Sequence, residues 1–122
     1  MEFLFSLPIK WCANCHCTRC QRSHGAGFVT WVGINKNQFF LKKGNTLLNW
    51  VSSSKKSKYG FCSKCGSSIL FKSTKWEGEI HITLANLHPP HNLKPQAHAY
   101  FDTHVEWLNF NDGLKRIDDP NK

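Results

Sequence analysis

The chain has 122 residues and a net charge of +8, from 16 Lys and Arg against 8 Asp and Glu, with 40% hydrophobic and 13% aromatic residues. That length suits a single domain spanning residues 1–122, and the apolar content excludes intrinsic disorder. No apolar run approaches the roughly 20 residues that cross a bilayer, and the six cysteines fall below the density of about 8% or more that marks a small secreted disulfide scaffold.

The opening MEFLFSLPIKW is apolar but short, with Glu2 where a secretory signal carries positive charge. It lacks a small-residue cleavage site and reads as a strand, which places the expected protein, soluble and without a membrane partner, in the reducing cytoplasm. Four of the six cysteines then crowd into CANCHCTRC, Cys12 to Cys20. Helical turns over Thr18 to His24 and around Asn35 to Gln38 are too short to stand alone in water. Period-two alternation predicts half-buried strands at Phe28 to Ile34, Leu47 to Val51, Ile69 to Phe71 and Glu79 to Leu84. Lys43-Gly44-Asn45, Glu77-Gly78 and Leu87-His88-Pro89-Pro90 supply turns between them. The fold class is therefore mostly β, built from several small antiparallel sheets with very little helix. A cysteine knuckle, a small-residue turn and a β segment follow one another at Cys17 to Phe28 and again at Cys62 to Phe71, as an internal duplication would give.

The positive charge suits nucleic acid or any small anionic substrate. Lys55-Lys56-Ser57-Lys58 reads either as a phosphate-contacting loop or as a solvated turn. No interleaving of aromatic and basic residues in a nucleic-acid motif accompanies it.

A Cys-x-x-Cys turn brings two thiolates to one zinc ion, at sulfur distances of about 2.3 Å. Cys17 to Cys20 and Cys62 to Cys65 both have this spacing, and Gly66 suits the positive backbone angle of such a knuckle. If the segment ending at Cys17 is extended, Cys15 and Cys17 share a face and Cys12 points away. Cys15, Cys17 and Cys20 then form a three-sulfur site with one coordination position open. A bend before Asn14 would instead let Cys12 close a four-sulfur cage, whereas a disulfide within so tight a cluster strains its geometry. Cys62 and Cys65 fill half a tetrahedron, which is either completed by Cys12, a histidine such as His24, water or a second chain, or left incomplete and empty.

Other side chains carry two readings each. Strand alternation turns His16 away from the metal, to the surface or into packing, and puts His81 on a solvent face. His88 and His91 flank a proline turn. Phe28, Trp31 and Phe61 wall a substrate pocket or pack the core. Arg19 and Arg22 meet a substrate carboxylate or solvent.

The run Cys15-His16-Cys17-Thr18-Arg19-Cys20-Gln21-Arg22, continuing through Gly25-Ala26-Gly27-Phe28 to Trp31-Val32-Gly33, resembles the glutathione-dependent formaldehyde-activating enzyme and centromere protein V family. Gly60 to Ser67, Lys94-Pro95-Gln96-Ala97-His98, and Trp107-Leu108 with Asp112-Gly113-Leu114 resemble its later signatures, so the likeness spans nearly the whole chain. The resemblance implies a β-tent of small coiled sheets with two zinc ions. The functional ion falls to Cys15, Cys17 and Cys20. The structural one falls to Cys62 and Cys65, shared with a Cys-x-Cys pair on a first strand. No Cys-x-Cys stands ahead of Cys12 here. The implied activity is zinc-dependent carbon–sulfur lyase chemistry on a glutathione, or other thiol, adduct of formaldehyde or a similar small aldehyde, with no catalytic side chain beyond the metal ligands. The alternatives are a non-catalytic glutathione carrier and, as centromere protein V suggests, a basic zinc module that binds nucleic acid.

Overall fold

The computed structural model describes residues 1–120. Among them, ten strands follow in chain order: β1 Glu2–Phe5, β2 Trp11–Cys15, β3 Val29–Asn35, β4 Phe39–Lys43, β5 Leu48–Ser52, β6 Ser57–Cys62, β7 Ser68–Ser73, β8 Glu79–Thr83, β9 Ala97–Ala99 and β10 Lys115–Ile117. One α-helix, α1 Thr18–His24, lies between β2 and β3, and short 3₁₀ turns join other strands. Among the described residues no helix is long and apolar enough to cross a membrane.

The mostly β architecture matches the alternation in the sequence, but the strands merge more than expected. Eight join one open sheet in the order β10-β9-β2-β3-β8-β7-β6-β5, while β1 and β4 pair separately. The opening segment is thus two strands in two sheets, divided by Ser6 to Lys10. Most pairings are antiparallel, yet β9 runs parallel to both β2 and β10. Strands of three residues are too short for alternation to reveal, and a parallel partner returns only after a long connection.

β3 lies at the centre because its sequence suits burial on both faces. Val29 and Trp31 pack with Cys20 and Tyr59 on one side. Val32 and Ile34, at 0% exposure, pack on the other with Ile82, Leu70 and Cys12. Fully burying one such aliphatic side chain is worth about 1.5–3 kcal/mol, so this face anchors the sheet on which the cysteines are mounted. Gly33 lets the Trp11 indole lie directly over the strand, since a Cβ at that position would collide with the ring.

Candidate metal centre

The three clustered sulfurs are set by a strand end and a helix start. β2 stops at Cys15. Cys17 is extended, at φ −65° and ψ 150°, and caps α1, its Sγ accepting the Cys20 backbone N–H at 3.4 Å. Cys20 therefore returns over Cys15 one helical turn later. A seven-residue helix has little stability of its own; α1 is held by Cys20 packing against Trp31 and Tyr59 and by Gly25 at its C-terminal end.

Cys15 Sγ and Cys20 Sγ are 3.4 Å apart, and all three sulfurs lie within 4.8 Å of one another. A tetrahedral ion with metal–sulfur bonds of about 2.3 Å holds its sulfurs about 3.8 Å apart, so the donor set fits zinc in size and softness. Among the described residues no other His, Cys, Asp or Glu completes a comparable group. Cys12, 1% exposed, packs on the opposite face of β2 with Val32 and Ile34 and does not join the trio. All six cysteines are free thiols.

The thiols share protons unequally. Hydrogen bonds from Cys15 and then Cys20 push the Cys17 thiol down to about 3, the Cys20 and Arg19 backbone N–H groups adding to the effect against burial. Cys15 is raised by its hydrogen bonds to Cys17 and Cys20 and by burial. Cys20 is lowered by Cys15, but its bond to Cys17 and its burial outweigh this and bring it up to about 11. The cluster thus concentrates negative charge on Cys17, next to the helix start.

These sulfurs border a cleft of about 820 Å³, walled by Trp11, Trp31, Tyr59, Phe71 and Trp76. A volume in this range suits a small organic ligand. Trp31 Nε1 donates to Cys20 Sγ at 3.4 Å, and the Tyr59 hydroxyl is 3.8 Å from the same sulfur. Burial raises the Tyr59 phenol, which keeps it a neutral donor. Charge at the cleft is mixed: Lys75, whose Nζ donates to the Tyr100 hydroxyl at 3.1 Å, and exposed Arg19 stand there with Asp102 and Asp119. Arg22 is exposed and does not border the cleft. Of the three aromatic residues singled out in the sequence, Trp31 alone lines it. Phe28 packs against His16 and Phe110, and half-buried Phe61 lies elsewhere.

His81 corrects the sequence reading. It is 4% exposed rather than solvent-facing, because β8 sits between β3 and β7 and Trp11 covers its outer face. Its Nε2 bonds Glu79 Oε1 at 3.0 Å, and the Glu79 carboxylate also receives Trp11 Nε1 and Lys10 Nζ, each at 3.3 Å. Burial lowers the His81 pKa against the pull of that carboxylate.

The second knuckle is built as its glycine predicts, with Gly66 at φ +80° and its N–H on Cys62 O at 2.7 Å. Cys62 is 5% exposed in the core, while Cys65 is exposed, 3.2 Å from Ser67 Oγ. Hydrogen bonds from the Ser67 side chain and backbone, and then from Cys62, push Cys65 down to about 7. Cys12 shares Cys62's core cluster without forming a ligand group with this pair. His24 instead packs against Trp31 and Tyr59 beside the first site. Two sulfurs among the described residues do not complete a zinc tetrahedron. His88 and His91 likewise enter no ligand group.

Sequence reasoning missed a buried polar cluster behind the sulfurs. His16 and His98 are both fully buried and face each other at 2.8 Å. Asn14 lies beside them, its Oδ1 accepting from Thr30 Oγ1 at 2.6 Å. His16 therefore packs inside, the interior of its two readings. His98 carried one faint signal, a polar residue between two alanines in a short strand.

Residues 5–103 match the family model described as glutathione-dependent formaldehyde-activating enzyme. No curated protein matches significantly. A crystal structure of a Rhodobacter sphaeroides protein superposes with a TM-score of 0.60 at 17% identity, covering 95% of this chain and 90% of that one. At that identity the likeness concerns the fold.

Proposed function

Because this chain belongs to the glutathione-dependent formaldehyde-activating enzyme family, we propose that residues 1–122 act as one zinc-binding domain that joins a glutathione-type thiol to formaldehyde or a similar small aldehyde. In the reverse direction this is carbon–sulfur lyase chemistry. The observation that carries the reading is the convergence of Cys15, Cys17 and Cys20 on the wall of an aromatic cleft.

In the forward reaction the thiol sulfur bonds to the aldehyde carbon. The carbonyl π pair moves to oxygen, and that oxygen takes up a proton to give an S-hydroxymethyl adduct. Zinc held by the three cysteines would supply positive charge, which favours thiolate over thiol near neutral pH and polarises an aldehyde oxygen. The chain's own residues do the rest. Trp31, Tyr59 and Phe71 keep the sulfurs in a water-poor wall, where electrostatic interactions are stronger than in bulk solvent. Lys75 and Arg19 present positive charge to an anionic thiol such as glutathione. Trp31 Nε1 and the backbone N–H of Cys20 stabilise sulfur charge by donating to Cys20 and Cys17.

The test is exchange spectroscopy with ¹³C-labelled formaldehyde and glutathione at equilibrium, where the uncatalysed reaction is the baseline. Zinc-loaded protein is expected to raise the exchange rate in proportion to its concentration, and metal-stripped protein is not. Saturable adduct binding with no gain in exchange would identify a glutathione carrier instead.

A further inference from the structure

β2 and the residue that follows it turn the Cys15 sulfur and the buried polar side chains of Asn14 and His16 to opposite faces. Trp11, Ala13 and Cys15 border the cleft, whereas Asn14 and His16 are buried and do not line it. Behind the cleft, His16 Nε2 lies 2.8 Å from His98 Nδ1, and His98 Nε2 lies 2.8 Å from Asp112 Oδ2. A carboxylate only accepts, so His98 donates from Nε2. With neutral rings, His98 Nδ1 then accepts the Nε2 proton of His16. That leaves His16 Nδ1 a bare acceptor, buried without a partner. An orphaned buried polar atom is unfavourable and persists where its surroundings fix the residue.

His16 is fixed on every side. Its backbone N–H bonds Ala99 O at 2.9 Å. Its carbonyl accepts Gln21 Nε2 at 2.8 Å and Thr103 Oγ1 at 3.0 Å. Its ring packs between Phe28 and Phe110, with centroids at 5.2 and 5.1 Å. The residue so held is the single link between Cys15 and Cys17, and three sequence stretches, around His16, His98 and Asp112, meet to hold it.

We propose that Asp112, His98 and His16 form a positioning chain, running from the surface to the interior, that presets the Cys15–Cys17 segment for metal capture, so that a surface carboxylate tunes the affinity of the sulfur site. This rests on the reading of Cys15, Cys17 and Cys20 as metal ligands. A preformed ligand frame spares the metal the cost of ordering it, and partners outside the ligand set commonly change metal affinity about 10–100-fold.

Three variants test it: Asp112→Asn, His16→Phe, which keeps the ring packing but removes the chain, and the double substitution. Zinc affinity is read by competition with a chromophoric chelator, site geometry by the visible spectrum of the Co²⁺-loaded protein, and folding by circular dichroism melting. The expected losses are about 10-fold for Asp112→Asn and up to about 100-fold for His16→Phe, each with a shifted Co²⁺ ligand-field band. The double variant should bind no more weakly than His16→Phe, because both residues act through one chain; a role in general packing would make the losses additive and leave the Co²⁺ band in place. Wild-type affinity and spectrum in the folded variants, or additive losses, overturn the proposal. Should His16→Phe not fold, Asp112→Asn decides alone, since its side chain is 38% exposed. Wild-type protein that takes up neither metal overturns the ligand reading together with the chain.

Discussion

Replacing Cys17 with serine is expected to strip the metal from the chain while leaving the fold in place. Cys17 does two separable things. Its sulfur is one of three that converge, and the same atom caps α1 by accepting the Cys20 N–H. A serine hydroxyl is a favoured cap, so helix and strand should keep their positions, whereas cysteine to alanine would lose the cap as well, at about 0.5–2 kcal/mol. Two remaining sulfurs are half a tetrahedron, and the loss in zinc affinity should exceed the roughly 10–100-fold that partners outside the ligand set are worth. Chelator competition reads the affinity, and the near-ultraviolet circular dichroism of the nearby Trp31 confirms the fold. Undiminished zinc in a folded Cys17→Ser protein would remove that cysteine from the ligand set.

Acid should weaken the fold well before its carboxylates protonate. Burial, and then the neighbouring His98 and His104, push His16 down to about 4, so the folded protein keeps neutral an imidazole that the unfolded chain protonates near its ordinary value of about 6.5. The folded-state value is depressed, so this stability is present in full above the unfolded pKa. It is lost as pH falls from there toward the folded one. The shift corresponds to about 3 kcal/mol. His81 and His24, both lowered by burial, act in the same direction. Urea unfolding with a chelator in excess, so that metal release contributes nothing, should show this loss between pH 7 and pH 4, and His16→Phe should shrink it. A flat profile would mean that the His16 ring reaches solvent.

Much of the fold can be read from residue types alone, because half-buried strands enforce alternation. Val29 to Asn35 and Glu79 to Thr83 form strands within a residue of where their periodicity puts them, and Thr18 to His24 bound the helix. The parity that turns Cys12 away from Cys15 is visible in the same way, since neighbours three apart on a strand face opposite sides. What stayed hidden depends on distant pairing. β9 and β10 have three residues each and find their partners in parallel across long connections. His81 reads as solvent-facing until Trp11, remote in sequence, is placed over it. The His16–His98–Asp112 chain joins residues 82 and 14 positions apart, and nothing local to a histidine reveals which atom will face it. Cys17 shows a further limit. Alternation read from the sequence carries extended backbone through it, but the strand ends at Cys15 and the same φ and ψ region serves a helix cap.

The proposed chemistry requires Cys15, Cys17 and Cys20 to hold one zinc ion and leave a coordination position to the substrate thiol. Zinc-edge X-ray absorption of the loaded protein tests it most directly. Three sulfur neighbours at about 2.3 Å with one nitrogen or oxygen atom are expected, converting to four sulfurs when glutathione is added. Four sulfurs before any thiol is present, or a first shell that ignores glutathione, would contradict it.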